Sequence, residues 1–139
     1  MTDSILKTEL SNGLLVLLKE IRTAPIISQW IWYRVGSRLE PTGLTGISHW
    51  VEHMLFKGTS QFPAGTLDQA VARLGGVWNA FTFLDWTTYT ETLPAGTIDL
   101  ALRLEADRML NAAFDPQDVE SERTVILSER QGEENNPLF

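Results

Sequence analysis

The only two histidines of the chain, His49 and His53, lie four positions apart, and Glu52 directly precedes the second. On an α-helix, residues at this spacing lie one above the other on the same face, so both imidazoles can reach one metal ion. A catalytic zinc ion usually has three protein ligands and an open fourth position. A carboxylate beside that position can act as a general base. The spacing therefore predicts two metal ligands and a base within little more than one helical turn.

The same spacing also has a simpler interpretation, because two histidines at i and i+4 can form an ordinary surface pair. A zinc site needs a third ligand, so the choice depends on what the rest of the chain offers. The chain contains no cysteine, which excludes disulfides and thiolate ligands. A carboxylate is the donor that suits zinc beside two neutral imidazoles.

The last predicted helix carries two glutamates where apolar residues are expected. One of its stripes holds the residues at i, i+3, i+7 and i+10, which are Val119, Glu122, Ile126 and Glu129. Burying an unpaired carboxylate is costly, so each glutamate there needs a cation, a hydrogen-bond donor or a raised pKa. Alternatively, Val125 and Leu127 form the buried stripe, and Glu122 and Glu129 belong to a solvated face. Beside a histidine helix that lacks an anionic ligand, the first interpretation is favoured.

The composition is that of an ordinary globular domain. With 139 residues, of which 43% are hydrophobic, the chain can build one sizeable core. The net charge of −7 argues against a nucleic-acid partner, which needs a basic surface. No apolar stretch approaches the length that spans a membrane, and the first residues lack the features of a secretory signal. A cytoplasmic location is therefore expected, with no membrane or nucleic-acid partner.

Periodicity and turn residues predict strands mixed with helices. The predicted strands are Leu6–Leu10, Leu14–Glu20, Ile26–Val35, Val77–Phe83 and Trp86–Thr92, the first two joined as a hairpin by Asn12-Gly13 and the last two by Leu84-Asp85. The run Ile26–Val35 is apolar on both faces, which predicts a central strand covered on both sides.

Four helices are predicted around these strands. They run from about Thr45 to Phe56 with Gly58 as the stop, from a capping box at Thr66–Gln69 to Leu74, from Thr97 to about Asn111, and from Pro116, after an Asp115 cap, to about Arg130. A polar tail is predicted after Gly132. The apolar stripe predicted for the histidine helix consists of Leu44, Ile47, Val51, Met54 and Leu55.

Several segments resemble one known family in order and spacing. The run Gly46–Thr59, which contains His-Trp-Val-Glu-His, is similar to the zinc-binding signature of the pitrilysin/insulinase family of zinc peptidases. The further matching segments are Gly36–Glu40, Gly75–Thr82, Glu105–Met109 and Glu122–Glu129. The resemblance implies an α+β fold with a mixed, largely antiparallel sheet and helices packed on it, the zinc helix among them.

The resemblance also implies roles for particular residues. It makes His49, His53 and Glu129 the ligands of one zinc ion, Glu52 the general base and Glu122 an assisting catalytic residue beside the ligands. Polypeptide substrate would bind along the edge-strand residues Asn79, Ala80, Phe81 and Thr82 by strand addition. The expected activity is that of a zinc-dependent endopeptidase acting on extended or unfolded polypeptides.

Family members continue beyond the length of this chain. Residues 1–139 are therefore expected to be the amino-terminal portion of a zinc peptidase domain, with the remainder and a second domain supplied elsewhere. A partner chain, including a second copy in a homodimer, is an equivalent source. The alternative is a non-catalytic or half-enzyme subunit of the same fold that needs such a partner for activity.

Overall fold

The computed structural model describes residues 4–135. Within them, five strands form two antiparallel sheets, and there are four α-helices. The strands are β1 (Ile5–Glu9), β2 (Leu15–Lys19), β3 (Ile26–Tyr33), β4 (Val77–Thr82) and β5 (Thr87–Pro94). The helices are α1 (Ile47–Met54), α2 (Thr66–Arg73), α3 (Ile98–Asn111) and α4 (Pro116–Glu134). The predicted α+β class is confirmed. Within residues 4–135, none of the helices is both long and apolar enough to cross a bilayer.

Both predicted hairpins are present. β1 pairs with β2 as a separate two-stranded sheet, and β4 pairs with β5 from Val77↔Thr92 to Thr82↔Thr87. The first turn depends on Gly13, which has φ of 85°, a left-handed conformation that glycine adopts without steric cost. The Asn12 side chain closes the same turn by accepting a hydrogen bond from the Leu14 amide at 3.1 Å.

The prediction that the strand at Ile26–Val35 is central is wrong within the described residues. The three-stranded sheet has the order β3-β5-β4, so β5 is central and β3 lies at one edge. On one side β5 pairs with β4, which precedes it through a tight turn, and on the other side it pairs with β3. Coverage on both faces is likewise wrong, since Trp30 and Trp32 are 50% and 54% exposed. Their rings stack on each other with centroids 5.9 Å apart.

The longest helix, α4, follows the predicted pattern at its start. Asp115 caps α4 by accepting a hydrogen bond from the Gln117 amide at 2.8 Å, and Pro116 occupies the first helical position. The predicted end near Arg130 is wrong, because the helix continues through Gly132 to Glu134. Of the predicted polar tail, positions 136 and 137 lie outside the described residues.

The shorter helices differ from the predictions at their ends. α1 spans Ile47–Met54 and is followed by tight turns, so Gly58 lies beyond it rather than stopping it. The predicted capping box of α2 is wrong, since Thr66 is already helical and Gly65 is the cap residue, with no side-chain cap bond. Gly65 has φ of 76°, and this left-handed residue turns the chain into the helix.

The hydrophobic core lies where α2 and α3 pack on β5. Its fully buried members are Leu67, Val71, Leu93, Ala101 and Leu104. Gly76 allows this close packing, because a Cβ there would lie 2.9 Å from the Thr92 carbonyl oxygen and would collide with the Leu93 side chain. The core therefore fixes the sheet against the helices that flank it.

A buried ionic cluster joins α3 to β5. The Arg108 guanidinium contacts the carboxyl groups of both Glu91 and Glu105, and all three residues are at most 3% exposed. The Arg108 guanidinium carbon also lies 4.1 Å from the centroid of the Tyr89 ring. One cation thus serves two carboxylates. Burial, reinforced by the neighbouring Glu105, raises the pKa of Glu91 to about 9, although Arg108 opposes the shift.

This raised pKa predicts that stability falls as pH rises between about 4.5 and 9. In that window the folded chain keeps a proton on Glu91 that the unfolded chain has released, and each pH unit costs at most about 1.4 kcal/mol. Glu91→Gln mimics the protonated acid, so it is expected to unfold at a higher temperature than the wild type at pH 8 and at nearly the same temperature at pH 5. Thermal unfolding across this range measures the difference. Glu120→Gln, at an exposed position, is the control, and a Glu91→Gln curve parallel to the wild type would contradict the assignment.

Candidate metal centre

The start of α1 is fixed by a residue outside the helix. Gly46, with φ of 92°, provides no side-chain cap. Instead, the Glu40 carboxylate accepts hydrogen bonds from the Gly46 amide at 2.8 Å and the Ser48 amide at 2.9 Å. Burial opposes ionisation of Glu40, but these backbone donors outweigh it and hold the pKa of that carboxyl below its usual value. Glu40 therefore sets where the helix begins, and no sequence pattern indicated this role.

His49 and His53 project from the same side of α1 toward each other. Their Nε2 atoms lie 3.1 Å apart and their rings are nearly perpendicular, at 88°. The predicted apolar stripe does not describe the buried side of this helix. Of its members, Met54 is fully buried, whereas Leu44 and Ile47 are 53% and 38% exposed.

α4 brings both glutamates of the predicted stripe to the histidines. Glu122 is 7% exposed, and its Oε2 lies 2.9 Å from His53 Nδ1. Glu129 Oε2 lies 3.4 Å from His53 Nε2 and 3.6 Å from His49 Nε2. The alternative is wrong for the stripe and for Glu122, because Val125 and Leu127 are 42% and 52% exposed and Glu122 is buried. It is right for Glu129, whose side chain is 47% exposed.

The three donor atoms have the spacing of a metal site. The Nε2 atoms of His49 and His53 and a Glu129 oxygen all lie within 4.8 Å of one another. A tetrahedral ion with ligand bonds of about 2.1 Å separates its ligand atoms by about 3.4 Å, which matches the three distances above. Two imidazoles and one carboxylate therefore fit a zinc ion with one position left open.

Glu122 sets the orientation of His53. Because a carboxylate only accepts hydrogen bonds, its contact with Nδ1 places the imidazole proton on Nδ1 and leaves the Nε2 lone pair directed at the donor set. Lys57 forms an ion pair with the other oxygen of the same carboxylate. Burial opposes ionisation of Glu122, but the hydrogen bonds from Lys57 and His53 hold its pKa below the usual value.

Glu52 is buried beside the histidines and is held by the end of β4. It is 8% exposed, and its Oε2 accepts a hydrogen bond from the Thr82 hydroxyl at 2.6 Å. Thr82 pairs with Thr87 across the hairpin, and the Thr87 hydroxyl donates to the Val35 carbonyl at 2.9 Å. The described residues give the second oxygen of Glu52 no hydrogen bond. Sequence reasoning placed Thr82 against substrate and missed this contact.

A cleft of about 520 Å³ connects these groups to the surface. It is lined by His49, Glu52, His53, Glu122 and Glu129 together with Lys57, Asp68 and Asn79. Of the predicted substrate segment, Asn79 is the member that lines the cleft within the described residues. Its side-chain oxygen accepts a hydrogen bond from the Ala80 amide at 2.9 Å.

The rest of that segment lies along an open sheet edge. β4 has β5 on one side, and within the described residues its other side has no neighbouring strand. Ala80 is 8% exposed and Phe81 is 39% exposed, consistent with side chains that alternate across the strand. Backbone groups on the free side of β4, apart from the Ala80 N–H that donates to the Asn79 side chain, are therefore available to an added strand.

Comparison with known proteins identifies related sequences. The family model described as insulinase (peptidase family M16) matches residues 15–138. An uncharacterized zinc protease of Mycobacterium leprae is 36% identical over 133 residues, covering 96% of this chain and 30% of the relative. A probable mitochondrial-processing peptidase β subunit of Arabidopsis thaliana is 36% identical over 124 residues, covering 89% of this chain and 23% of the relative.

Solved structures agree with the sequence relatives. A protease from Helicobacter pylori superposes with a TM-score of 0.92 at 34% identity, covering 98% of this chain and 33% of that protein. The first half of the periplasmic protease PqqL from Escherichia coli gives a TM-score of 0.86 at 25% identity, covering 95% of this chain and 30% of that structure. This chain therefore spans a third or less of the length of these relatives.

Proposed function

This chain belongs to the insulinase family, peptidase family M16, and on that premise we propose that it forms the zinc-binding catalytic region of an endopeptidase. The observation that carries the proposal is the convergence of His49, His53 and Glu129 donor atoms within 4.8 Å. Zinc is the proposed metal because two imidazoles and one carboxylate suit it. Related proteins, including that of Mycobacterium leprae, are also described as zinc proteases.

The proposed reaction is hydrolysis of a peptide bond by water. His49, His53 and Glu129 hold the metal, which when bound would lower the pKa of water toward 7 and polarise the scissile carbonyl. Glu52 takes a proton from the attacking water and later delivers it to the leaving amine. The water oxygen ends in the new carboxyl group, and the second water proton passes to the amine, so the products are a carboxylate and an ammonium. Glu52 returns to its initial state because it has released the proton that it took.

Two further carboxylate contacts support these steps. Glu122 holds His53 through Nδ1 at 2.9 Å, which keeps Nε2 free for the metal. Thr82 holds one oxygen of Glu52 at 2.6 Å. The other oxygen is thereby left for the proton transfer.

Substrate is proposed to bind as an extended strand along the free edge of β4. Main-chain hydrogen bonds to such an edge give affinity that depends little on side-chain sequence. Asn79 lies where this edge meets the cleft. The side-chain oxygen of Asn79 accepts a hydrogen bond from the Ala80 N–H. A substrate carbonyl would replace that oxygen as the acceptor. Extended or unfolded polypeptides are therefore the proposed substrate class.

A second candidate is a half-enzyme or non-catalytic subunit that works only with a further domain or chain. The observation behind it concerns the relatives, in which the matched region is 23% to 33% of the length and is accompanied by further residues. The proposed position of residues 1–139 is the amino-terminal portion of such a longer peptidase, and a second copy of the chain is another proposed partner. A cytoplasmic location stays a prediction.

Cleavage of an unfolded peptide tests the proposal. The assay uses the zinc-loaded chain alone and together with the carboxy-terminal remainder taken from a relative, each with and without a chelator. We expect chelator-sensitive cleavage that is strongest when the remainder is present. If the chain binds stoichiometric zinc but cleaves no peptide, either alone or with the remainder, the result would support the non-catalytic candidate and contradict the peptidase assignment.

Thr82→Val tests how Glu52 is held. Removal of the hydroxyl is expected to lower kcat about tenfold, since a hydrogen bond to a charged group is worth about 1.5–3 kcal/mol. KM and zinc content should change little, because Thr82 contacts neither the metal ligands nor the proposed substrate edge with its hydroxyl. Thr82→Ser, which keeps the donor, should recover most of kcat, and Thr92→Val on β5 serves as the control. A Thr82→Val variant with wild-type kcat would show that Glu52 needs no such contact.

A further inference from the structure

Lys57 connects the turn after α1 to α4. Its amide donates to the Met54 carbonyl at 3.0 Å, and its side chain, 27% exposed, forms an ion pair with the Glu122 carboxylate. The Glu122 side chain is itself only 9% exposed. The roles inferred from the sequence include none for Lys57.

The two oxygens of Glu122 have different partners. Oε1 contacts the Lys57 ammonium and Oε2 contacts His53 Nδ1. A carboxylate with one partner can rotate about its last side-chain bond, whereas partners on both oxygens fix its plane. Because the group is buried, losing one partner would also leave a poorly solvated oxygen, which favours rearrangement.

We propose that Lys57 is a positioning residue for the metal site, which clamps Glu122 so that Glu122 holds His53 Nε2 toward His49 and Glu129. The proposal rests on the zinc site described under the proposed function. Lys57 also balances the charge of Glu122, which keeps this carboxylate beside the ligands instead of competing with Glu129 for the metal. Lys57 thus acts through Glu122 and needs no contact with metal or substrate.

The sign of the effect separates this role from a simple charge effect. A lysine near a dication repels it, so deleting the charge would by Coulomb's law tighten zinc binding. Deleting a clamp on a residue that orients a ligand would weaken binding, on the order of tenfold. Lys57→Met removes the ammonium but keeps the length of the side chain.

Zinc affinity measured by competition with a chromophoric chelator provides the test. We expect Lys57→Met to raise the zinc Kd about tenfold, Lys57→Arg to stay near the wild type, and Lys7→Met, at an exposed position on β1, to have no effect. Lys57→Gln keeps a hydrogen-bond donor without the charge, so its zinc Kd should lie between those of Lys57→Met and Lys57→Arg. Unfolding of the metal-free variants is followed in parallel, so that loss of fold is separated from loss of affinity.

A double-mutant cycle identifies the path of the effect. If Lys57 acts through Glu122, Lys57→Met adds nothing to the zinc Kd of Glu122→Gln. An unchanged or lower Kd in Lys57→Met, or an equal loss in both backgrounds, would overturn the proposal while leaving the zinc site intact. Failure of the wild type to bind one zinc ion, or full affinity in Glu129→Gln, would instead overturn the proposed function and this inference with it.

Discussion

Glu52→Gln is expected to reduce peptide cleavage by roughly 10²- to 10⁴-fold while one zinc ion stays bound. The amide keeps the size of the side chain and can still accept the Thr82 hydrogen bond at the same position. It cannot take a proton from water, so the chemical step fails although the metal ligands are unchanged. The measurement pairs kcat on an unfolded peptide with metal analysis of the same sample.

The control for this variant is Glu120→Gln, an exposed position on α4, which should retain both cleavage and zinc. Loss of zinc in Glu52→Gln would mean that Glu52 contributes to metal binding. Wild-type cleavage with zinc in place would remove Glu52 from the proton transfer altogether.

Glu129→Gln is expected to weaken zinc binding far more than Glu122→Gln. Glu129 supplies one of three donor atoms, and a neutral amide oxygen is a poor replacement for an anionic ligand. Glu122 contacts His53 at Nδ1, which is not one of the three donor atoms. Changes at such a position typically cost roughly 10- to 100-fold in metal affinity.

Direct titration of the two variants under identical conditions measures the difference. Both substitutions keep side-chain length and lie on the same helix, so each serves as a matched control for the other. Equal losses of affinity would show that the ligand has been assigned to the wrong glutamate.

The proposed metal ligands could be predicted from the sequence to different degrees. His49 and His53 follow from helix geometry alone, because a spacing of four fixes their common face. The stripe of α4 indicated both Glu122 and Glu129. It could not show which of them is the metal ligand and which orients a histidine. Their assignment came from the family resemblance, and the structure adds distances consistent with it.

The supporting contacts of Thr82 and Lys57 were not predictable, because they join residues far apart in the chain. Thr82 meets Glu52 across 30 positions, and Lys57 reaches from the end of α1 to Glu122 on α4. Glu40 holds α1 from a segment that the sequence matched to the family without assigning it a role. The contacts of Thr82 and Lys57 depend on how α1, α4 and β4 pack, which no local pattern contains.

The errors in the fold have a similar origin. The strand at Ile26–Tyr33 is apolar on both faces, but apolarity does not specify which strands pair, and β5 takes the central position. The last helix was predicted to end at about Arg130, yet α4 continues through Gly132 to Glu134. A glycine in a helix is less favourable than an alanine by about 1 kcal/mol. The hydrogen bonds along a 19-residue helix can offset this free energy.

Anomalous X-ray diffraction at the zinc edge, from crystals of the zinc-loaded chain, locates the ion that is proposed to lie between His49, His53 and Glu129. We predict one strong peak about 2.0–2.2 Å from His49 Nε2, His53 Nε2 and a Glu129 oxygen, with Glu122 on His53 Nδ1. A zinc peak ligated by other residues, or no peak between these three side chains at saturating zinc, would contradict the account.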